Sequence, residues 1–262
     1  MNEVLVWSIC FASLAALVYL MTPIIVRFDQ KYRAKPTLYP VVVAELSHAA
    51  AEYLGGCGQA LEAESFSTVG YYSLSLNTAN VHTYIGLFMN RANDVKAIVA
   101  AFYIKTEDGI KITTHTVEFI THWKDGVEIS TNNNGSFGTF KHGLNQKTLR
   151  LPKIKSLHDL YVIHCQRLVL RGDSPIETLP ALGLEVMTQE NHLINAFEEQ
   201  VSFGRLYLDR SANVYRPTWK GAYLMTWSQL PPMNYIRKLR EKRKSTAALK
   251  ELNASASGLR VY

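Results

Sequence analysis

The stretch VKAIVAAFYIKTEDGIKITTHTVEFITHWKDGVEIST, residues 95–131, decides the fold, because it combines residues that favour strands with two Asp-Gly pairs. β-Branched and aromatic side chains favour strands, and Asp-Gly suits the tight turn of a β-hairpin, where glycine adopts a positive φ. The turns Glu107-Asp108-Gly109 and Lys124-Asp125-Gly126 therefore divide the stretch into three predicted strands. These strands are Val95–Thr106, Ile110–Trp123 and Val127–Thr131.

Two more strands are predicted upstream of this stretch, at Thr68–Leu76 and Val81–Asn90. The polar loops Asn77-Thr78-Ala79-Asn80 and Arg91-Ala92-Asn93-Asp94 follow them. Because short loops make consecutive strands antiparallel neighbours, the sequence predicts a meander of about five strands.

A helix is predicted on each side of the meander. Apolar residues in Val41–Leu61 fall within one arc of a helical wheel, which predicts an amphipathic helix. The glycine cluster Gly55-Gly56-Cys57-Gly58 is expected to break or fray that helix. Ser156 begins the second helix, with Asp159 completing a capping box. This order predicts an α+β fold with a central antiparallel sheet flanked by helices.

The N-terminal residues 4–26 contain no charged side chain. As a helix they would be about 35 Å long, which is enough to cross a hydrocarbon core of about 30 Å. A cleaved signal peptide would show a basic start, a shorter apolar run and a small-residue cleavage site. Only Glu3 precedes this run as a charged residue, and no clear Ala-x-Ala site follows it. The sequence therefore predicts a retained transmembrane helix.

Charged residues that flank the apolar run predict its orientation. No lysine or arginine precedes it, whereas four basic residues and Asp29 follow it: Arg27, Lys31, Arg33 and Lys35. The positive-inside rule places such a basic flank in the cytoplasm. The N-terminus is therefore expected outside and the bulk of the chain in the cytoplasm.

The composition is that of a globular protein, with 47% hydrophobic and 19% charged residues among 262. Its three cysteines, at 10, 57 and 165, form no Cys-x-x-Cys pair, which excludes the usual zinc-ribbon and thioredoxin-like patterns. A reducing compartment fits this usage, and a single bridge between Cys57 and Cys165 stays an alternative.

The last third of the chain predicts a helix at Gln189–Phe203, a hairpin around Ser211-Ala212-Asn213 and a helix from about Thr218. This order is loosely similar to the back half of a winged-helix domain, whose hairpin could contact nucleic acid phosphates. Asp209 offsets the arginines of this hairpin, and no second basic helix precedes it, so nucleic-acid binding is the least favoured reading. The three arginines are Arg205, Arg210 and Arg216.

These features predict four segments along the chain. Residues 1–33 form the transmembrane anchor with its basic flank, and residues 34–175 form the α+β domain, which opens with a linker at 34–40. Residues 176–232 form a helix-hairpin-helix subdomain, and residues 233–262 form a basic C-terminal tail.

His164 is the one candidate catalytic residue that the sequence offers. It lies on the apolar face of the predicted helix beside Tyr161 and Leu168, where a half-buried imidazole could act as a base. In an enzyme, its expected neighbours would be Glu118, His115 and Asn132 to Asn134. The alternative is a core histidine with satisfied hydrogen bonds. No nucleophile elbow, Walker sequence or dinucleotide fingerprint is present.

Histidine spacing gives no metal-binding pattern. His158 and His164 are six residues apart on a helix and do not share a face. His115 and His122 are seven apart on a predicted strand, so without a bulge they point to opposite faces. The sequence therefore predicts neither a metal site nor a cofactor.

The C-terminal tail carries the clearest charge pattern, because residues 237–250 include seven basic residues against the single acid Glu241. In a membrane-held protein, such a segment binds anionic headgroups at about 1 kcal/mol per basic residue. An acidic protein partner is an equal alternative, and a solvated helix end is the third. The candidate binding residues are Arg237, Lys238, Arg240, Lys242, Arg243 and Lys244.

Taken together, these patterns favour a single-pass membrane protein with a cytoplasmic binding or scaffold domain. The first alternative is a membrane-bound enzyme or binder that acts on a lipid or another hydrophobic ligand. The second alternative is a membrane-tethered nucleic-acid-binding protein.

Overall fold

A computed structural model describes residues 3–74, 81–92, 94–106, 109–136, 138–172, 175–178 and 183–258. The helices are α1 Glu3–Asp29, α2 His48–Ala63, α3 Leu157–Arg171, α4 Glu185–Ser202, α5 Trp219–Gln229 and α6 Met233–Gly258. The strands are β1 Tyr32–Arg33, β2 Leu38–Pro40, β3 Phe66–Leu74, β4 Val81–Asn90, β5 Lys96–Thr106, β6 Gly109–His122, β7 Glu128–Asn132, β8 Gln146–Arg150, β9 Leu206–Asp209 and β10 Val214–Pro217.

The chain divides into two compact units. The sheet unit comprises residues 35–137, 142–193 and 240–262, and the N-terminal unit comprises residues 1–34, 138–141 and 194–239. The four segments predicted from the sequence stay predictions.

A seven-stranded sheet organises the sheet unit, in the order β2-β3-β4-β5-β6-β7-β8. All neighbours are antiparallel except β7 and β8, which are parallel. The predicted α+β fold is therefore confirmed, and the predicted meander corresponds to β3–β7. Two edge strands were not predicted, because β2 is only three residues long within the expected linker 34–40 and β8 follows a long polar loop.

The turn at Lys124-Asp125-Gly126 forms as the sequence predicts. Gly126 has φ +79° and donates its N–H to Trp123 O at 2.9 Å. Asp125 Oδ1 accepts from Val127 N, and His122 pairs with Glu128 across the hairpin. The predicted turn residues 77–80, Asn93 and 107–108 lie outside the described residues.

Helices α2 and α3 bury one face of the sheet. Leu54 and Leu61 of α2 and Leu160 of α3 are fully buried in a core with Phe88 and Phe119. Burial of each such side chain contributes about 1.5 to 3 kcal/mol. This gain explains why the chain has an amphipathic helix both before and after the meander in sequence. Toward its C-terminus, α6 adds Ala248 and Leu249 to the same core.

The start of α3 confirms the predicted cap, because Ser156 Oγ accepts from Asp159 N at 3.1 Å. The expectation for α2 was wrong in two respects. A short 3-10 turn at Val43–Glu45 precedes it, and the helix itself runs unbroken through the glycine cluster. Gly58 is buried against the sheet, where a Cβ would overlap the Tyr71 hydroxyl, so glycine there permits close packing rather than ending the helix.

The first half of α4 covers part of the opposite face of the sheet. Val186 and Leu193 pack against a second core that includes Leu87 and Tyr72. Glu190 Oε1 accepts from Leu38 N at 2.7 Å, which satisfies a backbone donor of the edge strand β2. This placement brings the polar residues of α4 onto the sheet.

In the N-terminal unit, a three-stranded sheet of order β1-β10-β9 follows α1 directly. Helix α5 runs antiparallel to the second half of α1, since the Trp219 ring contacts Phe28 and Trp227 Nε1 donates to Tyr19 O at 3.3 Å. Thr218 caps α5 by accepting from Gly221 N at 2.9 Å. At Gly221 a Cβ would overlap the Arg205 carbonyl, so only glycine fits.

We expect Gly221→Ala to destabilise the protein by about 2 to 3 kcal/mol, because the added methyl group must displace backbone atoms. The matched control is Gly56→Ala in α2, where a Cβ meets no atom within 4 Å. That change should be neutral or raise stability by up to about 1 kcal/mol, since alanine favours helix. Thermal unfolding of the full-length protein in detergent measures both. Equal melting temperatures for Gly221→Ala and the unmodified protein would contradict the close approach.

Candidate functional site

His164 lies on the face of α3 that packs against the sheet, and its side chain is fully buried. Nε2 lies 3.1 Å from Thr121 Oγ1 and Nδ1 lies 3.0 Å from Thr131 Oγ1. Thr131 Oγ1 also accepts from Arg167 at 2.7 Å, so each ring nitrogen of His164 has a threonine hydroxyl as its hydrogen-bond partner. The imidazole thus links β6 to β7.

The other residues named with His164 do not gather around it. Glu118 accepts from Asn132 Nδ2 at 3.0 Å on the opposite face of the sheet, because even and odd positions of β6 point to opposite sides. His115 contacts Tyr53 instead, with ring centroids 4.5 Å apart and the ring planes tilted by 46°. A catalytic role for His164 stays a prediction, and the geometry gives this residue the contacts of a core histidine.

All six predicted binding residues of the C-terminal segment lie on α6. Five of them are exposed: Lys238, Arg240, Lys242, Arg243 and Lys244. Arg237 is half-buried and donates to Ser228 O at 3.2 Å and to Gly138 O at 3.1 Å, which gives it a structural contact within the N-terminal unit. The segment is therefore a helix with a run of accessible positive charge.

The arginines of the β9–β10 hairpin are partly used within the N-terminal unit. Arg216 Nε pairs with Asp209 Oδ2 at 2.9 Å, and Arg205 Nη1 donates to Thr139 O at 3.3 Å. Hydrogen bonding to Ser211, together with Ala212 N and Arg216, holds the pKa of Asp209 below its usual range. These contacts give Arg205 and Arg216 structural roles, and nucleic-acid binding stays an unfavoured prediction.

Helix α1 is long and apolar enough to cross a membrane, and almost none of its apolar surface is buried. A cleaved signal sequence would pass the same test of length and composition. Trp7 and Phe11 are each 74% exposed. Ser8 and Thr22 satisfy their hydroxyl groups by donating to the carbonyls of Val4 and Val18, one turn back.

An aromatic group that was not predicted lies at the C-terminal end of α1. Trp219, Tyr223 and Trp227 recur every four residues on α5, and neighbouring rings lie within 6.5 Å of each other. The Arg27 guanidinium lies 5.0 Å from the centroid of the Tyr207 ring and 5.8 Å from that of Trp219. Only the packing of α5 on α1 reveals this arrangement, since the two helices are far apart in sequence.

A second unpredicted group lies on the face of the sheet that α4 covers. Lys96 of β5 is buried and donates to Gln189 Oε1 at 2.7 Å. His122 Nδ1 lies 3.8 Å from Glu128 Oε2, and the rings of His122 and His192 lie 4.7 Å apart. The Lys124-Asp125-Gly126 hairpin could have predicted the pairing of His122 with Glu128. No local sequence pattern predicts that His192 of α4 contacts His122.

Burial sets the protonation of this group. It lowers the pKa of His122 to about 4 and that of His192 to about 3, and the positive charge of Lys96 adds to both shifts. Burial also lowers the pKa of Lys96 to about 8, against the opposing influence of Glu128 and Glu118. Both imidazoles are therefore neutral near pH 7.

An open cleft of about 450 Å³ lies beside β6 and is lined mainly by small polar groups. Its lining residues are Thr113, Thr114, His115, Asn133, Gly135, Ser136, Pro152 and Lys155. Thr113 sits at the irregular register between β5 and β6.

Comparison with known proteins gives no further guidance, since no protein-family model, curated protein or solved structure matches the chain. The fold and the exposed helix define the class: an α+β protein with one N-terminal candidate membrane span.

The burial of the His164 imidazole predicts that acid destabilises the fold. Burial, followed by the charge of Arg167, lowers its pKa to about 3, below the usual value of about 6.5. Its contribution to stability is therefore complete above about pH 6.5 and is lost as the pH falls toward 3, because the unfolded chain binds the proton first. We expect the melting temperature to fall less steeply between pH 7 and pH 4.5 in His164→Gln than in the unmodified protein. An unchanged slope would contradict this role, and His48→Gln at an exposed position is the control.

Proposed function

We propose that the protein is anchored in a membrane by α1, with its N-terminus outside and the rest of the chain in the cytoplasm. In this position the chain forms a binding module at the membrane surface, and α6 contacts anionic headgroups. The observation that carries the proposal is the uncovered apolar surface of α1.

An uncovered helix of this length is unfavourable in water and favourable in a bilayer. Burial of apolar area is worth about 25 cal/mol per Å², and soluble proteins rarely leave large continuous apolar patches exposed. A helix satisfies its own backbone hydrogen bonds, as the hydrocarbon core requires. The hydroxyl groups of Ser8 and Thr22 are satisfied in the same way, which lowers their cost in lipid.

Charge and aromatic residues at the end of α1 support the orientation. Arg27 follows the apolar run, and Phe28, Tyr207 and Trp219 surround its guanidinium. Tryptophan and tyrosine concentrate at membrane–water interfaces, and basic residues concentrate on the cytoplasmic side. This combination favours an interface at about residue 27, facing the cytoplasm.

The position of α5 extends the proposed contact with the membrane. Helix α5 runs back along α1 from Phe28 to Tyr19, a distance of about 13 Å at 1.5 Å per residue. Trp227 is 41% exposed at the inner end of this path. Just beyond it, the first turn of α6 exposes Met233, Tyr235 and Ile236. These apolar and aromatic groups suit contact with the same leaflet.

The exposed basic residues of α6 follow this apolar turn directly. Lys238 and Arg240 come within a few residues of Ile236, so one helix presents apolar and then basic groups in sequence order. A helix of this kind binds a surface that offers hydrocarbon and negative charge together, which an anionic bilayer does. This chemistry favours headgroups over an acidic protein as the partner of α6.

Anchoring predicts that the mature chain keeps its N-terminal segment and resists extraction by alkaline carbonate. Leu14→Arg combined with Leu17→Arg should release the protein from membranes, because each arginine costs about 2.5 to 3.5 kcal/mol at the centre of a span. Leu144→Arg is the matched control, since Leu144 is 90% exposed in the loop before β8. Membrane fractionation and intact-mass measurement give the result. A soluble chain that lacks its first 20 to 30 residues would identify a signal peptide instead.

Headgroup binding predicts that anionic lipid protects α6. In nanodiscs, hydrogen exchange over residues 237–250 should be slower with anionic than with zwitterionic lipid, and the difference should shrink at high salt. Reversal of Arg240, Arg243 and Lys244 to glutamate should abolish the difference. The control reverses Lys147, Lys153 and Lys155, three exposed lysines of the sheet unit. Lipid-independent exchange in the unmodified protein would contradict headgroup binding.

A further inference from the structure

Three side chains of the sheet unit place metal-ligating atoms together. His122 at the end of β6, Glu128 at the start of β7 and His192 on α4 each offer one ligand atom, and these atoms all lie within 4.8 Å of one another. Ligands of one transition-metal ion at about 2.1 Å are separated by about 3 to 3.5 Å. Side-chain rotation would have to close that difference between ligands that lie on two strands of one hairpin and on the helix above it.

A second observation concerns the same imidazole, whose Nδ1 faces Glu128 Oε2 at 3.8 Å. His122 Nε2 is buried and has no hydrogen-bond partner among the described residues. Buried polar atoms are nearly always paired, so an unpaired ring nitrogen points to a partner other than the described residues. Neutral imidazole is the commonest metal ligand among protein side chains, so a metal ion is a partner of suitable chemistry.

From these two observations we propose that His122, Glu128 and His192 bind one divalent transition-metal ion. Two imidazoles and a carboxylate suit zinc, iron(II) or manganese(II) better than calcium or magnesium, which prefer oxygen ligands alone. Three protein ligands leave at least one coordination position for water or a substrate. The site is therefore of the open kind.

The charge around the site is compatible with a cation. Glu118 and Glu128 bring two negative charges, and Lys96 brings the one positive charge of the named group. The sum is one negative charge, so a bound divalent ion changes the net charge of the cluster from −1 to +1. Lys96 is held by Gln189 Oε1 at 2.7 Å, one helical turn from His192.

The proposal does not depend on membrane anchoring, because all of its residues belong to the sheet unit. It extends the function from a binding surface to a metal centre. The loss of carbonate resistance or of headgroup binding would leave this site untouched.

Cobalt(II) is the probe that tests the site, since it takes the same ligands and absorbs visible light when bound by imidazole and carboxylate. We expect the full-length protein, stripped with a chelator and kept in detergent, to bind one equivalent of Co²⁺ with a visible absorption band. His192→Gln and Glu128→Gln should each weaken binding by more than about a hundredfold. The matched control is His158→Gln, because His158 forms a histidine–glutamate pair with Glu64 on the surface, at 2.6 Å.

Two results would overturn the proposal. One is the absence of stoichiometric Co²⁺ and Zn²⁺ binding by the unmodified protein, a test that no misfolded variant affects. The other is equal affinity in the unmodified protein and in His192→Gln, with circular dichroism showing that the variant is folded. An equal loss in His158→Gln and His192→Gln would also count against the site. The proposal is supported if His158→Gln retains Co²⁺ binding and His192→Gln loses it.

Discussion

One constraint governs the N-terminal unit: α1 carries an apolar surface that the rest of the described chain does not cover. Helix α5 packs along its second half only, and β1 begins three residues after it ends. The fold therefore starts immediately at the end of the apolar helix. A bilayer would cover this surface at no cost in backbone hydrogen bonds, and in the proposed anchoring the aromatic and basic groups around Arg27 would lie at its boundary.

In the sheet unit, the two faces of the seven-stranded sheet differ in the residues that they bury. Helices α2 and α3 cover one face with an apolar core, in which His164 is the fully buried polar group that joins β6 to β7. The opposite face is apolar at β3 to β5 and polar toward β7, where α4 brings Gln189 and His192 onto it. The core around His164 and the polar group around His122 thus lie on opposite faces of the sheet, because side chains alternate along the strands.

The sequence predicts what depends on neighbouring residues. The meander, the Gly126 turn, the Ser156 cap and the apolar helix all follow from local patterns and are present. Features that depend on distant contacts were missed. Gly58 looks like a helix breaker until the sheet packs against it, and His192 meets His122 only because α4 returns to the sheet. Strands β2 and β8 are too short to show a periodic pattern.

Protease protection in sealed membrane vesicles of known orientation tests the central claim most directly. The full-length protein would carry a C-terminal tag, and trypsin would be added from one side at a time. Anchoring by α1 with the bulk of the chain in the cytoplasm predicts that the tag is lost when the cytoplasmic face is outward and kept when it is inward. Loss of the tag only in vesicles whose cytoplasmic face is inward would contradict the orientation, and a tag that does not sediment with the vesicles would contradict anchoring itself.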